Sequence, residues 1–245
     1  SLWGCRERPE LSQIEPLHLG EALRQTLVNR SFATFVIAYI LMQYAFSLLM
    51  AAIPFYAKYV LRLPDQDTTF LLLSVILVCF PMLFIWARVA VRWGNRAAMM
   101  ISLGALVILM LPFQVVSDLP TAMIAAGAVG LGLSGILLLT DMLLADIIDE
   151  DEAKTGRRRE GMYFGVNGFL GRLSGVLQTQ TINGVLVLSG YNASLAVTAQ
   201  PEAVATGLRL LVSLIPMAAL GLGIVALIFY PLHGAYLQKM KSAKV

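Results

Sequence analysis

The stretch Ala145–Gly161, ADIIDEDEAKTGRRREG, is the most highly charged part of the chain, and the fold prediction starts from it. It contains six of the 15 acidic and four of the 18 basic side chains of a 245-residue sequence. Long apolar segments lie on both sides of it. Because so many charges are very costly to place in hydrocarbon, we expect this stretch to form an aqueous loop between two membrane-spanning helices.

The composition around this stretch is that of a membrane protein. Hydrophobic residues make up 58% of the chain and charged residues only 13%, about half the charged fraction of a typical soluble domain. Six apolar segments are each long enough for a helix to cross a hydrocarbon core of about 30 Å. Their lack of strict alternation argues against barrel strands, so the predicted fold is all-α, a polytopic six-helix membrane bundle. The predicted spans are 32–54, 69–91, 97–116, 120–144, 162–188 and 207–231.

The basic residues predict the orientation of this bundle. If the N-terminus lies inside, 14 of the 18 basic residues fall in inner segments, while Lys58, Arg62 and Arg209 fall in outer ones. The inner loops of membrane proteins carry such an excess of Lys and Arg. We therefore predict a multi-pass protein of a plasma membrane or bacterial inner membrane, with both ends of this chain in the cytoplasm.

The spans divide the chain into three parts. Residues 1–30 are predicted to form a cytoplasmic loop that contains a short amphipathic helix at the membrane interface. Residues 31–231 form the six-helix bundle, and residues 232–245 form a cytoplasmic tail. The chain begins with Ser1 and a polar stretch that lacks the pattern of a signal peptide, so we expect it to belong to a longer polypeptide.

The fifth span carries the strongest candidate for a solute contact. Arg172 lies about 18 Å along the helix from Glu160 and so near the bilayer centre, where a charge is costly and usually functional. The helical face around Arg172 is small and polar, which suits either a cavity or a closely packed neighbour. An arginine held by helix carbonyls or a buried acid is the alternative. The predicted cavity residues are Arg172, Asn167, Gly168, Gln178 and Thr179 of the fifth span, and Tyr39 and Gln43 of the first.

The fourth span contains the run GAVGLGLSG, with glycines at positions 127, 130, 132 and 135. Small residues at this spacing allow helices to pack closely, or allow one helix to slide and bend against another. Close packing is the simpler interpretation.

Motifs of other protein classes are missing from the sequence. It has no zinc-ligand spacing, no nucleophile motif and no phosphate-binding glycine loop. We therefore predict no enzyme, no metal site and no cofactor. The basic clusters lack the interleaved aromatic residues of a nucleic-acid-binding surface, so no nucleic acid is expected as a partner.

The charged stretch also resembles a known signature. The run D-I-I-D-E-D-E-A-K-T-G-R-R-R-E-G, from Asp146 to Gly161, is similar to the segment after the tenth helix of the glycoside–pentoside–hexuronide:cation symporters. These are transporters of the major facilitator superfamily and include the melibiose permease. Supporting matches are N-R-S-F at Asn29–Phe32, F-Y-A-K-Y-V-L at Phe55–Leu61 and R-W-G-N-R at Arg92–Arg96. The resemblance covers essentially the whole chain and aligns it with the central loop and helices seven to twelve.

The resemblance implies roles for several residues. A lysine takes the place of Arg172 in sugar-transporting relatives, and the planar guanidinium suits a carboxylate or paired hydroxyls better than a point charge does. The coupling cation, Na⁺ or H⁺, is expected to bind mainly to acids of the N-terminal half. The residues implied in a cytoplasmic gate between the two halves are Asp146, Asp149, Glu152, Arg158, Arg88 and Arg92.

These observations together predict the C-terminal half of a cation-coupled symporter for a sugar, glycoside or hexuronide, which works by alternating access. The expected partners are the lipid bilayer, an N-terminal six-helix half and a small-molecule solute. A lysophospholipid or other amphiphile is the alternative substrate within the same superfamily. A six-helix channel or a non-transporting membrane scaffold is the alternative from another class, although the sequence has only one convincing polar stripe.

Overall fold

The computed structural model describes residues 28–156 and 159–232, and this part of the chain consists of helices joined by short turns, without strands. The prediction of an all-α fold is confirmed. The predicted amphipathic helix and all but the first residue of the predicted tail lie outside the described residues. The helices are α1 (Arg30–Tyr59), α2 (Asp65–Trp93), α3 (Asn95–Met110), α4 (Leu119–Thr155), α5 (Glu160–Leu188), α6 (Glu202–Val212) and α7 (Leu214–Ile228), with a 3-10 turn at Leu111–Gln114.

Most of these helices have the length and composition of membrane spans. The fifth predicted span forms a helix of 29 residues, α5, which is long enough to cross a bilayer core. It does not reach the hydropathy of the others, because polar side chains such as Arg172 and Gln178 lie along it. Within residues 28–156 and 159–232, five helical segments are both long and apolar enough: Arg30–Tyr59, Gln66–Trp93, Asn95–Gln114, Leu119–Thr155 and Glu202–Ile228.

The last predicted span, 207–231, overlaps the apolar helical segment Glu202–Ile228, but this segment is not one continuous helix. The chain becomes helical at Glu202, breaks at Ser213 with φ −132° and ψ −84°, and continues as α7 to Ile228. Pro216 follows three residues after the break. Because proline has no amide hydrogen, an uninterrupted helix would lose a backbone bond there, and this accounts for two helices in place of one.

The expectation that the whole charged stretch forms an aqueous loop is also wrong. α4 is 37 residues long and continues to Thr155, where Gly156 ends it in the left-handed conformation with φ 68°. Asp146, Glu150 and Asp151 are buried within the protein. Asp146 and Asp151 accept hydrogen bonds from Asn95 and Arg159 on neighbouring segments, and Glu150 pairs with Lys154 one turn further along α4. Such polar partners allow acids to be buried in a helix.

The helices pack in a pattern that occurs twice. α4 packs against α2 and α3, and α1 packs in a similar way against α5 and against the broken pair formed by α6 and α7. α3 and α7 join the two groups, and α1 also contacts α4. Such an arrangement, in which three consecutive spans are followed by three more with equivalent neighbours, is typical of membrane bundles built from inverted repeats.

The glycines of α4 allow its close packing against two neighbours. A Cβ atom added at Gly130 would lie 2.5 Å from the carbonyl oxygen of Val75 on α2. One added at Gly132 would lie 2.5 Å from Cβ of Leu106 on α3. Both distances are well inside van der Waals contact, so the backbone of α4 approaches these helices as only glycine permits.

Candidate functional site

One end of the bundle carries most of the described basic side chains. Arg88 and Arg92 lie near the end of α2, and Arg96 lies in the first turn of α3, on either side of Gly94. Arg96 donates from Nε and Nη2 to the carbonyl oxygens of Leu227 (2.8 Å) and Ile228 (2.7 Å), so the end of α7 lies beside the start of α3. We call this end of the bundle the basic end and the other the opposite end.

α1 and α5 lie side by side and contact each other at four levels, which together form the α1–α5 seam. The members of each pair are 132 to 137 residues apart, and this nearly constant separation requires that the two helices run in parallel. Polar bonds between helices are favourable in lipid, so the seam holds α5 to α1 along its length. The pairs, from the basic end outward, are Asn29 with Tyr163 (3.3 Å), Tyr39 with Gly171, Tyr44 with Thr181 (2.9 Å) and Tyr59 with Tyr191 (2.8 Å).

A second face of α5 points away from the seam and is not covered by any described residue. A Cβ atom added at Gly165 or Gly168 would meet no atom within 4 Å. Arg172 is exposed, and its guanidinium makes no hydrogen bond or ion pair within the described chain. No described residue therefore packs closely against this face at Gly165, Gly168 or the Arg172 guanidinium. We call this surface the open face; its residues are Gly161, Gly165, Gly168, Arg172, Thr179 and Asn183.

Large apolar side chains border the open face. Phe169 and Leu173 are each 45% exposed, and Val176, one turn beyond Arg172, is 59% exposed. Arg172 is therefore a single cation surrounded by small residues on one side and bulky apolar residues on the other. A surface of this kind matches a ligand that has both an anionic group and an apolar part.

The predicted cavity residues are divided between the open face and the seam. Gly168 and Thr179 lie on the open face, whereas Asn167 is buried on the seam side. The Oδ1 atom of Asn167 has no hydrogen-bond partner among the described residues. Tyr39 approaches α5 so closely that its hydroxyl would lie 2.7 Å from a Cβ atom added at Gly171.

The other two predicted cavity residues, Gln43 and Gln178, are half-buried. Gln43 lies one turn beyond Tyr39 on α1, and the exposed carboxylate of Asp141, on α4, lies within electrostatic range of the Tyr39 hydroxyl. The structure thus brings Tyr39, an acid of α4 and the middle of α5 into one region. Gln178 lies nearly two turns further along α5 than Arg172.

Asp146, the first predicted gate residue, is fastened within this bundle. It is buried, and its Oδ2 accepts a hydrogen bond from Nδ2 of Asn95 on α3 at 2.6 Å. This bond joins the charged part of α4 to the turn between α2 and α3. Charge-assisted bonds of this length are among the stronger ones in proteins.

The other predicted gate residues are more accessible. Asp149 and Glu152 are half-buried, and Arg88 and Arg92 are exposed at the same basic end. Arg158 lies outside the described residues. The two carboxylates and the two guanidinium groups therefore lie at the basic end of the bundle.

A polar network at the basic end was not predicted from the sequence. Arg159 donates from Nε and Nη2 to the two carboxylate oxygens of Asp151, at 2.9 and 2.6 Å. These hydrogen bonds raise the pKa of the Arg159 guanidinium above its ordinary value. The Tyr163 hydroxyl interacts with the same carboxylate and accepts a hydrogen bond from Nδ2 of Asn29. We call Asn29, Asp151, Arg159 and Tyr163 the Asp151 network.

A helical pattern in the charged stretch could have revealed Asp151. It follows Ile147 and Ile148 by four and three residues, and both isoleucines are buried. Residues at this spacing lie on one face of a helix. The prediction of a loop missed that α4 continues through this stretch, so that some of its acids lie on the buried side of the helix.

At the opposite end, Arg209 has a structural role. Its Nη1 donates to the carbonyl oxygens of Phe113 (3.1 Å) and Gln114, in the 3-10 turn after α3. The Tyr56 hydroxyl donates to the Phe113 carbonyl at 3.0 Å, and Gln114 bonds the Ser213 hydroxyl at the α6–α7 break. This arginine therefore satisfies backbone carbonyls at the end of the 3-10 turn that follows α3.

Long apolar helices, a repeated packing pattern and one uncovered polar face define a multi-pass membrane protein with the architecture of half a carrier. Among residues 28–156 and 159–232, no three His, Cys, Asp or Glu side chains form a group that could hold a metal ion. The chain belongs to the MFS/sugar transport protein family, whose model matches residues 1–234.

Curated relatives of the chain are transporters, not enzymes. The sodium-dependent lysophosphatidylcholine symporter 1 of Gallus gallus is 23% identical over 241 residues, which cover 97% of this chain and 45% of the relative. An uncharacterized symporter of Synechocystis is 26% identical over 236 residues, 93% of this chain and 43% of the relative. A sphingosine-1-phosphate transporter of Xenopus tropicalis is 23% identical over 240 residues, 94% of this chain and 45% of the relative. The chain spans less than half the length of these proteins.

Proposed function

We propose that this chain is one half of a secondary transporter that moves an amphiphile with an anionic head group, such as a lysophospholipid. A second six-helix half would complete the cavity, and substrate would bind between the halves and be released by alternating access. The observation that carries the proposal is the exposed Arg172 on the open face of α5, bordered by exposed Phe169 and Leu173.

The chemistry of Arg172 fits a phosphate group. A guanidinium offers a planar set of donors that binds phosphate or carboxylate oxygens in pairs. Arg172 lies about 18 Å along α5, near the bilayer centre, where an uncompensated cation is costly. Binding an anion there would remove that cost in the loaded state. The apolar side chains beside it would contact the acyl chain and shield it from water.

Two of the relatives support this substrate class over a sugar. Their names specify lysophosphatidylcholine and sphingosine-1-phosphate. Both molecules combine a phosphate group with a single long hydrocarbon chain. An open face with one cation and bulky apolar neighbours matches that combination better than it matches a ligand covered with hydroxyl groups.

We further propose that the basic end faces the cytoplasm and contains the gate. Asp149 and Glu152 would pair with cations of the other half when the transporter faces outward, and Arg88 and Arg92 with its acids. Asp146 would instead fasten α4 to α3, since it bonds Asn95 within the same half. The coupling ion, Na⁺ or H⁺, would bind mainly to the other half.

Cation-coupled transport of a sugar or hexuronide is the second candidate. It is favoured by the polar side chains Thr179 and Asn183, which lie on the open face and can bond hydroxyl groups. In that case Arg172 would bind the carboxylate of a hexuronide. The two candidates assign different roles to the apolar side chains that border the open face. An amphiphile would contact them with its hydrocarbon chain, whereas a sugar acid would not.

Uptake by the full-length protein in liposomes distinguishes these candidates. The proposal predicts uptake of radiolabelled lysophosphatidylcholine and none of a glucuronide or disaccharide. Arg172→Ala should lower kcat/KM at least about tenfold, because a hydrogen bond to a charged group contributes about 1.5–3 kcal/mol. Arg172→Lys should retain part of the wild-type kcat/KM. Arg30→Ala, at the exposed start of α1, is the matched control and should leave uptake unchanged.

Three outcomes would count against the proposal. Lysophosphatidylcholine uptake unaffected by Arg172→Ala would remove the assigned contact. Uptake of a hexuronide alone would favour the second candidate. Binding without uptake or counterflow would indicate a membrane scaffold, and ion flux without saturation by substrate would indicate a channel.

A further inference from the structure

The chain connection from α4 does not determine the rotation of α5 about its own axis. α4 ends at Gly156, which has φ 68°, so no continuous helix transmits direction into α5. α5 packs extensively only against α1 and makes few contacts with α4, its predecessor in the chain. The direction of the open face must therefore depend on side-chain contacts made at a few points along α5.

The Asp151 network supplies such a contact at the first turn of α5. One carboxylate, with a side chain only 7% exposed, holds Arg159 by two hydrogen bonds and also faces the Tyr163 hydroxyl. Tyr163 is fully buried, packs edge-on against the ring of Phe32 at 5.0 Å and accepts from Asn29. The network thus joins the end of α4, the start of α5 and the start of α1.

Tyr163 lies on the side of α5 opposite the open face. It is nine residues from Arg172, and at 100° per residue this places the two side chains about 180° apart around the helix. A contact that fixes Tyr163 against α1 therefore also fixes the direction in which Arg172 points. Without the contact between Tyr163 and α1, the basic end of α5 could rotate or tilt. The seam pairs further along would still hold the remainder of α5 against α1.

We propose that Asp151 is a positioning residue that fixes the first turn of α5 against α1 and α4 and so sets the direction of the open face. The importance of that direction for substrate rests on the proposed function, but the contact itself does not. Asp151 acts through Arg159 and Tyr163 and makes no contact with substrate. Loss of its charge releases both partners at once and leaves a partly buried guanidinium without its carboxylate.

The proposal is tested by the accessibility of the open face in the full-length protein. A single cysteine is placed at Gly168, where an added side chain meets no atom within 4 Å, in a background in which all native cysteines, including Cys79, are replaced. Its alkylation by a membrane-impermeant maleimide is timed from each side of sealed vesicles. Asp151→Asn should change the labelling rate about fivefold or more from at least one side, the factor that corresponds to about 1 kcal/mol of conformational coupling.

The matched control is Asp118→Asn, which makes the same chemical change at the exposed opposite end of α4. It should leave the labelling rate unchanged. Tyr163→Phe keeps the ring against Phe32 and removes only the hydroxyl, so it should shift the rate in the same direction by a smaller factor.

The outcomes separate this proposal from the proposed function. Unchanged labelling in both Asp151→Asn and Tyr163→Phe, with the protein folded and monodisperse, would overturn the positioning role. If Asp151→Asn does not fold, the result for Tyr163→Phe decides alone. A purely stabilising role would lower the thermal midpoint and leave the labelling rate of the folded protein unchanged. Failure to transport lysophosphatidylcholine would refute the proposed function and leave these rates as they are.

Discussion

Replacing Gly130 by alanine should destabilise the bundle, although alanine is the better helix former. Gly130 lies where α4 approaches α2 most closely. The added Cβ would lie 2.5 Å from the Val75 carbonyl oxygen and 3.4 Å from the Cys79 amide nitrogen. A carbon and a carbonyl oxygen in contact are about 3.3–3.6 Å apart. The two helix backbones would therefore have to separate by roughly 1 Å.

The expected magnitude follows from two opposing effects. Overpacking a tight interface costs about 1–3 kcal/mol, and replacing glycine by alanine within a helix returns about 1 kcal/mol. The net loss should therefore lie between about 0 and 2 kcal/mol, and the severity of the 2.5 Å contact places it towards the upper end. Gly127→Ala, one turn earlier on α4, is the matched control. Its Cβ would meet Val78 Cγ2 at 3.4 Å, which is ordinary contact, so this variant should be neutral or slightly stabilised.

Thermal unfolding of the full-length protein in detergent, followed by circular dichroism, measures the difference. Gly130→Ala should unfold a few degrees below wild type, and Gly127→Ala at or above it. If Gly130→Ala proved as stable as Gly127→Ala, the close approach of α4 and α2 would not be the reason that glycine is needed there.

The hydrogen bonds at the two ends of the bundle give further predictions, each checked by the same unfolding measurement. A double-mutant cycle between Asp146 and Asn95 should give a coupling of about 1.5–3 kcal/mol, and additive effects would contradict the bond. Arg96→Lys keeps the charge but not the paired donors to the end of α7, and should cost about 1 kcal/mol. Tyr56→Phe should also cost about 1 kcal/mol, since the carbonyls of Phe113 and Val116 each lose the hydrogen bond from its hydroxyl. Hydrogen bonds from the first turn of α4 lower the pKa of Asp118. Its stabilising contribution should therefore be present above the ordinary Asp pKa and be lost as pH falls through the lowered one, and Asp118→Asn should abolish that part of the pH dependence.

The membrane helices were predictable because apolar length is a local property of the sequence. Each predicted span overlaps a helix. The break at Ser213 was missed because its surroundings are uniformly apolar. The significance of Pro216 there depends on which backbone bonds the helix would otherwise form.

The candidate site was predicted in part. Arg172 could be singled out because a charge within an apolar span is rare. The seam could not be predicted, since its pairs are more than 130 residues apart and no local pattern links Tyr44 with Thr181. Asp151 was not predicted, because acids in a dense cluster were expected to face water. In the structure some of them face polar partners on other helices.

A helix such as α5 enters a bilayer poorly by itself, because its polar side chains raise the cost of insertion through the translocation channel. Its partner along the whole seam, α1, is synthesised more than 130 residues earlier. The hydroxyls of Tyr44 and Tyr59 therefore lack these partners while the three intervening spans are made. Among the described helices, α1 is thus the first to be synthesised and one of the last to acquire all its contacts.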